Sequence, residues 1–418
     1  MTRLIKHYTS TMKGIPQLSN NWGAMITLLD AVLVDGFNYV PISSLTKSTQ
    51  TGLTATINLG ADHGFIDRQI IRVAGSTNGW NGDYKVLSAD SNSITVECSA
   101  THPQTITGLA TCLTAPLDFE IVHQTPIDSP NPKRAYRSKD LESLGLILLV
   151  HDFCVSGASA TGAKFAKVGI VENMQGIDVI MGNQMPFDVN NINANWAWDE
   201  TYHGWTKWYY RTKNNSSPND YGADNIAAIA GISAFHLVGD SCSFMFDVAH
   251  SNLGGVAVYG VCEFFDHELN GNNLALLAFG SQAKVPQSFQ YLYGWARGSY
   301  ILCNEAESQA VGGAGLKLNA LIWFNRQGLA EYQKAGVNML IGSVQQDNPF
   351  NAVNYKLLFG LPICDSTNTP RGVLPFLRIS ASQVNEVSVS TSVGKYLNRY
   401  HPAATLKVVK YALLMESY

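Results

Sequence analysis

At 418 residues the chain exceeds what one ordinary core organises, so two or three domains are expected. Charged residues make up only 14%, and 28 Lys+Arg against 32 Asp+Glu give a net charge of −4 with no basic stretch, which excludes nucleic acid as a direct partner. Hydrophobic residues at 46% exclude a disordered chain, and the absence of any signal-length apolar core or long apolar run argues against secretion and membrane insertion.

The charge-poor composition, with 36 Gly, suits a protein whose faces are covered by neighbours; it is also common in extracellular β proteins. Seven cysteines (Cys98, Cys112, Cys154, Cys242, Cys262, Cys303, Cys364) form no CxxC pair, so zinc and a disulfide framework are not expected. Scattered reduced thiols fit folding in a bacterial cytoplasm.

The chain opens with residues 1–38, read as an arm and a helix that anchor assembly. Pro16, Ser19 and Asn20 supply stop and cap chemistry, and Trp22, Met25, Ile26, Leu28, Leu29 and Val32 recur at helical spacing until Gly36. A short helix with so large an apolar face is expected to dock on its own or a neighbouring subunit, which makes Trp22, Met25 and Leu29 interface candidates.

From residue 39 to 125 the period switches to two. The runs 53–59, 69–75, 84–89, 93–99 and 106–113 read as short strands separated by turn signals such as Asn81-Gly82, together a small β-sandwich or barrel. Pro116, Pro126, Pro130 and Pro132 then read as a linker.

Residues 133–418 form a larger β-rich domain. It begins with a buried strand at 142–153 and carries a polar and aromatic insertion over 184–225. Further strands are expected at 233–240, 243–250, 254–269, 273–280, 316–324, 354–363, 374–380 and 406–415. The alternation in Ser243–Val248 and Ala257–Phe264 predicts sheets with one face buried. Residues 328–336 are the best helical candidate here. The fold class is therefore mainly β.

Several segments resemble a family of tailed-phage and prophage structural proteins. They are His7-Tyr8-Thr9-Ser10, Gly14-Ile15-Pro16-Gln17-Leu18-Ser19 and Leu28-Leu29-Asp30 through Leu33-Val34-Asp35-Gly36-Phe37 at the start. Val73-Ala74-Gly75-Ser76-Thr77 with Trp80-Asn81-Gly82-Asp83-Tyr84-Lys85-Val86 follows, with Trp80 in place of a usual Leu. Ala135-Tyr136-Arg137-Ser138, His236-Leu237-Val238-Gly239-Asp240 with Ser243-Phe244-Met245-Phe246, and Pro370-Arg371-Gly372-Val373-Leu374-Pro375 complete the series; Phe376 stands where a Gly is common. The resemblance implies a virion component with no catalytic site, assembled in the host cytoplasm. Its expected partners are other virion proteins and further copies of itself.

Enzyme-like strings have plainer readings. Gly239-Asp240-Ser241 resembles a hydrolase Ser block but sits between β-patterned runs, where it is turn chemistry. Asp266-His267-Glu268 lies at a strand end, where neighbours point to opposite faces and cannot converge on one metal. Gly312–Lys317 lacks phosphate-loop spacing, and Asp188, Asp199, Glu200 and Asp220 cannot be paired for glycan hydrolysis. No catalytic residue, cofactor or metal is assigned, and no enzyme is expected.

The aromatic insertion holds the remaining candidates: Trp196, Trp198, Trp205, Trp208, Tyr209 and Tyr210. They suit a subunit interface, a host-surface glycan site over 196–210, or packing on the β core. The reading is a structural component of the tail or baseplate; the alternatives are that glycan-binding module and a head or neck decoration protein.

Overall fold

The computed structural model describes residues 3–126, 129, 132–152, 162–185, 206–212, 227–249, 256–280, 316–324, 331–339, 358–364, 369–380, 388–390, 394–401 and 409–417. The protein is mainly β, with antiparallel sheets throughout and one short helix.

Residues 37–114 form a seven-stranded sheet. Its order is Phe37–Pro41, Thr111–Thr114, Ile70–Ala74, Gly82–Ala89, Ser93–Glu97, Thr54–Asn58 and Ser44–Lys47. The edge strand Ser44–Lys47 is met by the segment that leads into Thr111–Thr114: Thr46 bridges Thr105 and Ile106 N–H donates to Leu45 O, closing the sheet into a barrel. Alternation builds its core, since Ala55 and Ile57 point in while Thr56 and Asn58 face out. Trp80 fills the centre, with its ring centroid 4.6 Å from that of His102.

The barrel ends sooner than the sequence suggests. Phe119–Gln124, expected within the small domain, pairs instead with Lys133–Ser138 in the large one. That proline-marked stretch thus carries a strand as well as a connection.

The large domain stacks three sheets. The front sheet runs Phe119–Gln124, Lys133–Ser138, Ile147–His151, Phe165–Gly176, Thr206–Tyr209, Phe279–Gly280, with Val179–Met185 folded back on Phe165–Gly176. The middle sheet runs Lys6–Thr9, Phe235–Gly239, Phe244–Ala249, Val256–Asp266, Gly271–Leu277, Leu316–Phe324, Glu331–Met339. The back sheet runs Leu358–Cys364, Pro370–Ser380, Val409–Ser417, Gly394–His401, Ser388–Ser390.

The middle sheet's strands Phe244–Ala249, Val256–Asp266 and Gly271–Leu277 are buried on both faces, where one buried face was expected. Phe244, Phe246, Val248, Tyr259 and Leu276 join the core shared with the front sheet. Their alternate neighbours Met245, Val258, Cys262, Ala275 and Leu277 join the core shared with the back sheet. A strand sandwiched this way needs apolar residues at consecutive positions, as these runs have. The expected helix at 328–336 is the strand Glu331–Met339, paired along its length with Leu316–Phe324. Ladder bonds to a long neighbouring strand outweigh its helix-compatible composition.

A buried ion pair ties the middle sheet to the back sheet. Arg371 donates Nε to Asp266 Oδ1 at 3.0 Å and Nη2 to Oδ2 at 2.9 Å, and Asn273 adds a third bond at 2.8 Å. Burial alone would raise the Asp266 pKa; these hydrogen bonds hold it below the usual carboxylate range. Arg371→Ala leaves that carboxylate without its partner, so we expect a loss of about 3–5 kcal/mol in denaturant unfolding. A loss under about 1 kcal/mol would show that the pair contributes little beyond packing.

Residues 3–35 are not a separate arm. Lys6–Thr9 is an edge strand of the middle sheet, in register from Lys6 opposite Gly239 to Thr9 opposite His236. Leu18–Ser19 pairs with Ile232–Ser233. The barrel is tied to this strand by ions: Lys6 Nζ reaches Asp83 at 2.7 Å, and Arg72 bridges Asp83 and Asp118. Glu416 of the back sheet takes Lys85 at 2.7 Å and also Arg68, both from the barrel domain.

Candidate functional site

The helix is Ala24–Leu29, extended by a π-helical turn over Asp30–Asp35. Met25 and Leu29 are fully buried, alongside Leu28, Val32 and Leu33, in the core under the front sheet. As interface candidates these two are therefore corrected: their apolar surface is already covered within the chain. Trp22 is half-buried, edge-on to Phe165 with centroids 5.9 Å apart.

The helix start is capped from a distant strand rather than by Ser19 or Asn20. Asp152 Oδ2 accepts the Met25 N–H at 2.9 Å, and Oδ1 accepts the Tyr210 hydroxyl at 2.8 Å. Burial drives the Asp152 pKa up to about 7, against the pull of these hydrogen bonds.

The aromatic block resolves in part. Trp208, Tyr209 and Tyr210 have no exposed surface. Trp208 donates Nε1–H to Leu277 O at 2.8 Å and packs edge-on to Phe246 at 5.2 Å; the Tyr209 N–H donates to the Tyr259 hydroxyl at 2.9 Å. These three satisfy their polar groups inside the sandwich, so neither a sugar ring nor a neighbouring subunit reaches their faces, which corrects both readings for them. Trp196, Trp198 and Trp205 lie outside the described residues, as do Asp188, Asp199, Glu200, Asp220 and Gly312–Gly315.

Gly239-Asp240-Ser241 is the turn of the hairpin joining Phe235–Gly239 to Phe244–Ala249. Asp240 Oδ1 accepts from the Cys242 and Ser243 N–H groups at 2.8 and 2.9 Å. Ser241 Oγ donates to Asp140 at 2.5 Å, a bond that, with the Glu142 N–H and Arg3, pulls the Asp140 pKa down to about 2. A carboxylate held ionised in this way is a weak base, so the pair is not an activated nucleophile. In Asp266-His267-Glu268 the Asp side chain belongs to Arg371, and among the described residues no three His, Cys, Asp or Glu side chains gather as metal ligands.

A groove of about 780 Å³ runs beside the helix, where it hands over to the barrel. Its walls include Trp22, Thr27, Asp35, Asn38, Tyr39 and Arg134. Asp30 closes one side: Arg134 Nε lies 3.2 Å from its Oδ2, and the Tyr136 hydroxyl donates to Oδ1 at 2.6 Å. Burial raises the Asp30 pKa, while those two partners oppose the shift.

The far wall depends on two left-handed residues. Gly36 has φ +77, and a Cβ there would lie 2.5 Å from Thr114 O, so only glycine fits. Asn38 has φ 56, tolerated by its short side chain, whose Nδ2 donates to His63 O at 2.8 Å. Tyr39, 60% exposed, donates its hydroxyl to Asp35 O at 2.7 Å.

Of the interface and ligand candidates chosen from sequence, Trp22 is the one among the described residues that lines this groove; Pro16, Ile26, Gly36 and Pro132, read there as helix, cap or linker residues, line it too. Asp35 and Tyr39 flank the helix-ending glycine, a local signal; Arg134 arrives from a strand far along the chain. No family model matches the sequence, and no curated protein matches it either.

Proposed function

We propose that the chain is a structural subunit of a tailed-phage particle, seated in the tail or baseplate and acting through subunit contacts. One observation carries this reading: several of the segments that resemble the phage family bond to one another. His7–Thr9 pairs with His236–Val238. Tyr136 donates to Asp30, and Ser138 Oγ donates to Ser241 O at 2.6 Å in the turn between the two later motif strands. Asn81 Oδ1 accepts the Ser76 N–H at 2.8 Å within the barrel turn.

Short chance likenesses scattered over a chain have no reason to fall on mutually bonded positions. Here the segments at 7–19, 28–37, 135–138 and 236–246 fall on mutually bonded positions of the sandwich, which supports a resemblance of architecture rather than of a reaction site. Assembly would proceed by burial of the charge-poor outer surface against partners, which for a stable contact takes about 1,000 Å² or more.

The test is mass spectrometry on particles from the lysate in which the chain is made, separated into heads and tails. We expect the chain with the tails at a fixed ratio to their other subunits. Recovery with heads would favour the decoration or neck reading, and absence from both would overturn the virion assignment.

A further inference from the structure

We propose that the groove beside the helix binds a neutral oligosaccharide, with pyranose faces on Tyr39 and Trp22 and sugar hydroxyls donating to Asp35 and Asn38. Its volume of about 780 Å³ falls within the roughly 300–1,000 Å³ of small-ligand sites, which favour the seams between domains. This groove lies at such a seam, between the helix and the first barrel strand.

The lining selects the ligand's chemistry. Asp30 is already answered by Arg134 and Tyr136, so no buried charge calls for a counter-ion. A strongly anionic ligand would meet the Asp35 carboxylate, while Arg134 is already committed to Asp30. A neutral ligand rich in hydroxyls and with an apolar face meets no like charge and finds both acceptors and rings in the lining. Sugar hydroxyls supply donors for the Asp35 carboxylate and the Asn38 amide oxygen; the Asn38 nitrogen is engaged with His63 O. Tyr39 offers an exposed ring whose hydroxyl is tethered to the Asp35 carbonyl, so little side-chain freedom is lost on stacking.

The wall is also rigid before any ligand arrives. Gly36 is wedged against Thr114 O and Asn38 is held in the left-handed region by His63, which fixes the direction in which Tyr39 leaves the helix. This chemistry stands whether or not the chain belongs to a phage particle.

The full chain is applied to an array of neutral gluco-, galacto-, manno- and N-acetylglucosamine oligomers, with anionic glycans and cationic peptides alongside, and hits are measured by titration calorimetry. We expect binding of at least one of them. Tyr39→Ala and Asp35→Asn, both at exposed positions, should each weaken it about tenfold or more with the melting temperature unchanged. Tyr39→Phe, which keeps the ring and loses the tether to Asp35, should bind more weakly than wild type and more tightly than Tyr39→Ala. The proposal is overturned if no neutral oligomer binds, or if both weakening variants bind like wild type. It is equally overturned if anionic glycans or cationic peptides bind in place of neutral sugars, or if Tyr39→Phe loses as much as Tyr39→Ala.

Discussion

A chain beginning at Gly36 is expected to lose the cooperative fold of the large domain while the barrel stays folded. The deleted segment contributes Tyr8, Met25, Leu28, Leu29, Val32 and Leu33, all essentially without exposure, to the core between the front and middle sheets. Truncating one such residue, as in Leu29→Ala, costs about 2–5 kcal/mol. Removing six exceeds the roughly 5–15 kcal/mol that holds an ordinary domain together. The deletion also strips the strand Lys6–Thr9 from Phe235–Gly239 and leaves that edge of the middle sheet unpaired. The barrel keeps its own core around Ile57, Val73, Trp80 and Val96. Hydrogen exchange should therefore find barrel amides protected and those of Phe244–Ala249 exchanging freely, with dye binding to exposed apolar surface. A truncated chain that melts cooperatively with its middle sheet protected would return the segment to the status of a detachable arm.

The reason this segment reads as an arm from sequence is instructive. Its helical spacing is plain, and the helix is present; what spacing cannot say is which surface covers the apolar face. That surface comes from Tyr136, Leu148, Val150 and Phe165, all far along the chain. The same gap explains the middle sheet. The period of two in Ser243–Val248 is visible, but the second buried face depends on a back sheet that begins beyond residue 357. The barrel was the most legible part, because its inward residues face one another within a short stretch and its turns announce themselves, as at Asn81-Gly82. For the candidate site, Trp22 and the helix-ending Gly36 were readable. The pairing of Asp30 with Arg134 was not, since residues 104 apart meet only through the packing of helix on sheet.

The buried carboxylate of Asp152 gives the second large effect, and its sign is specific. Its pKa rises from 3.8 to about 7 on folding, chiefly because burial penalises the charged form. Between those values the folded chain holds a proton that the unfolded chain has released. The resulting stabilisation is complete below pH 3.8 and is lost as pH rises through 7, a change on the order of 4 kcal/mol. His7 works in the opposite direction: burial lowers its pKa from 6.5 to about 4, so its contribution is absent at low pH and grows as pH rises between those values. Over pH 4 to 6.5 the two slopes oppose each other in the wild-type chain. Asp152→Asn removes one of them, while its amide oxygen still accepts the Met25 N–H. Urea unfolding across this range should then show the variant gaining steadily on the wild type as pH rises, by on the order of 4 kcal/mol at pH 7 relative to pH 4. His7→Gln should show the reverse, a stability that falls with pH more steeply than that of the wild type. A difference between Asp152→Asn and wild type that stays constant with pH would mean that Asp152 is ionised throughout, with the helix-end N–H groups and Tyr210 outweighing its burial.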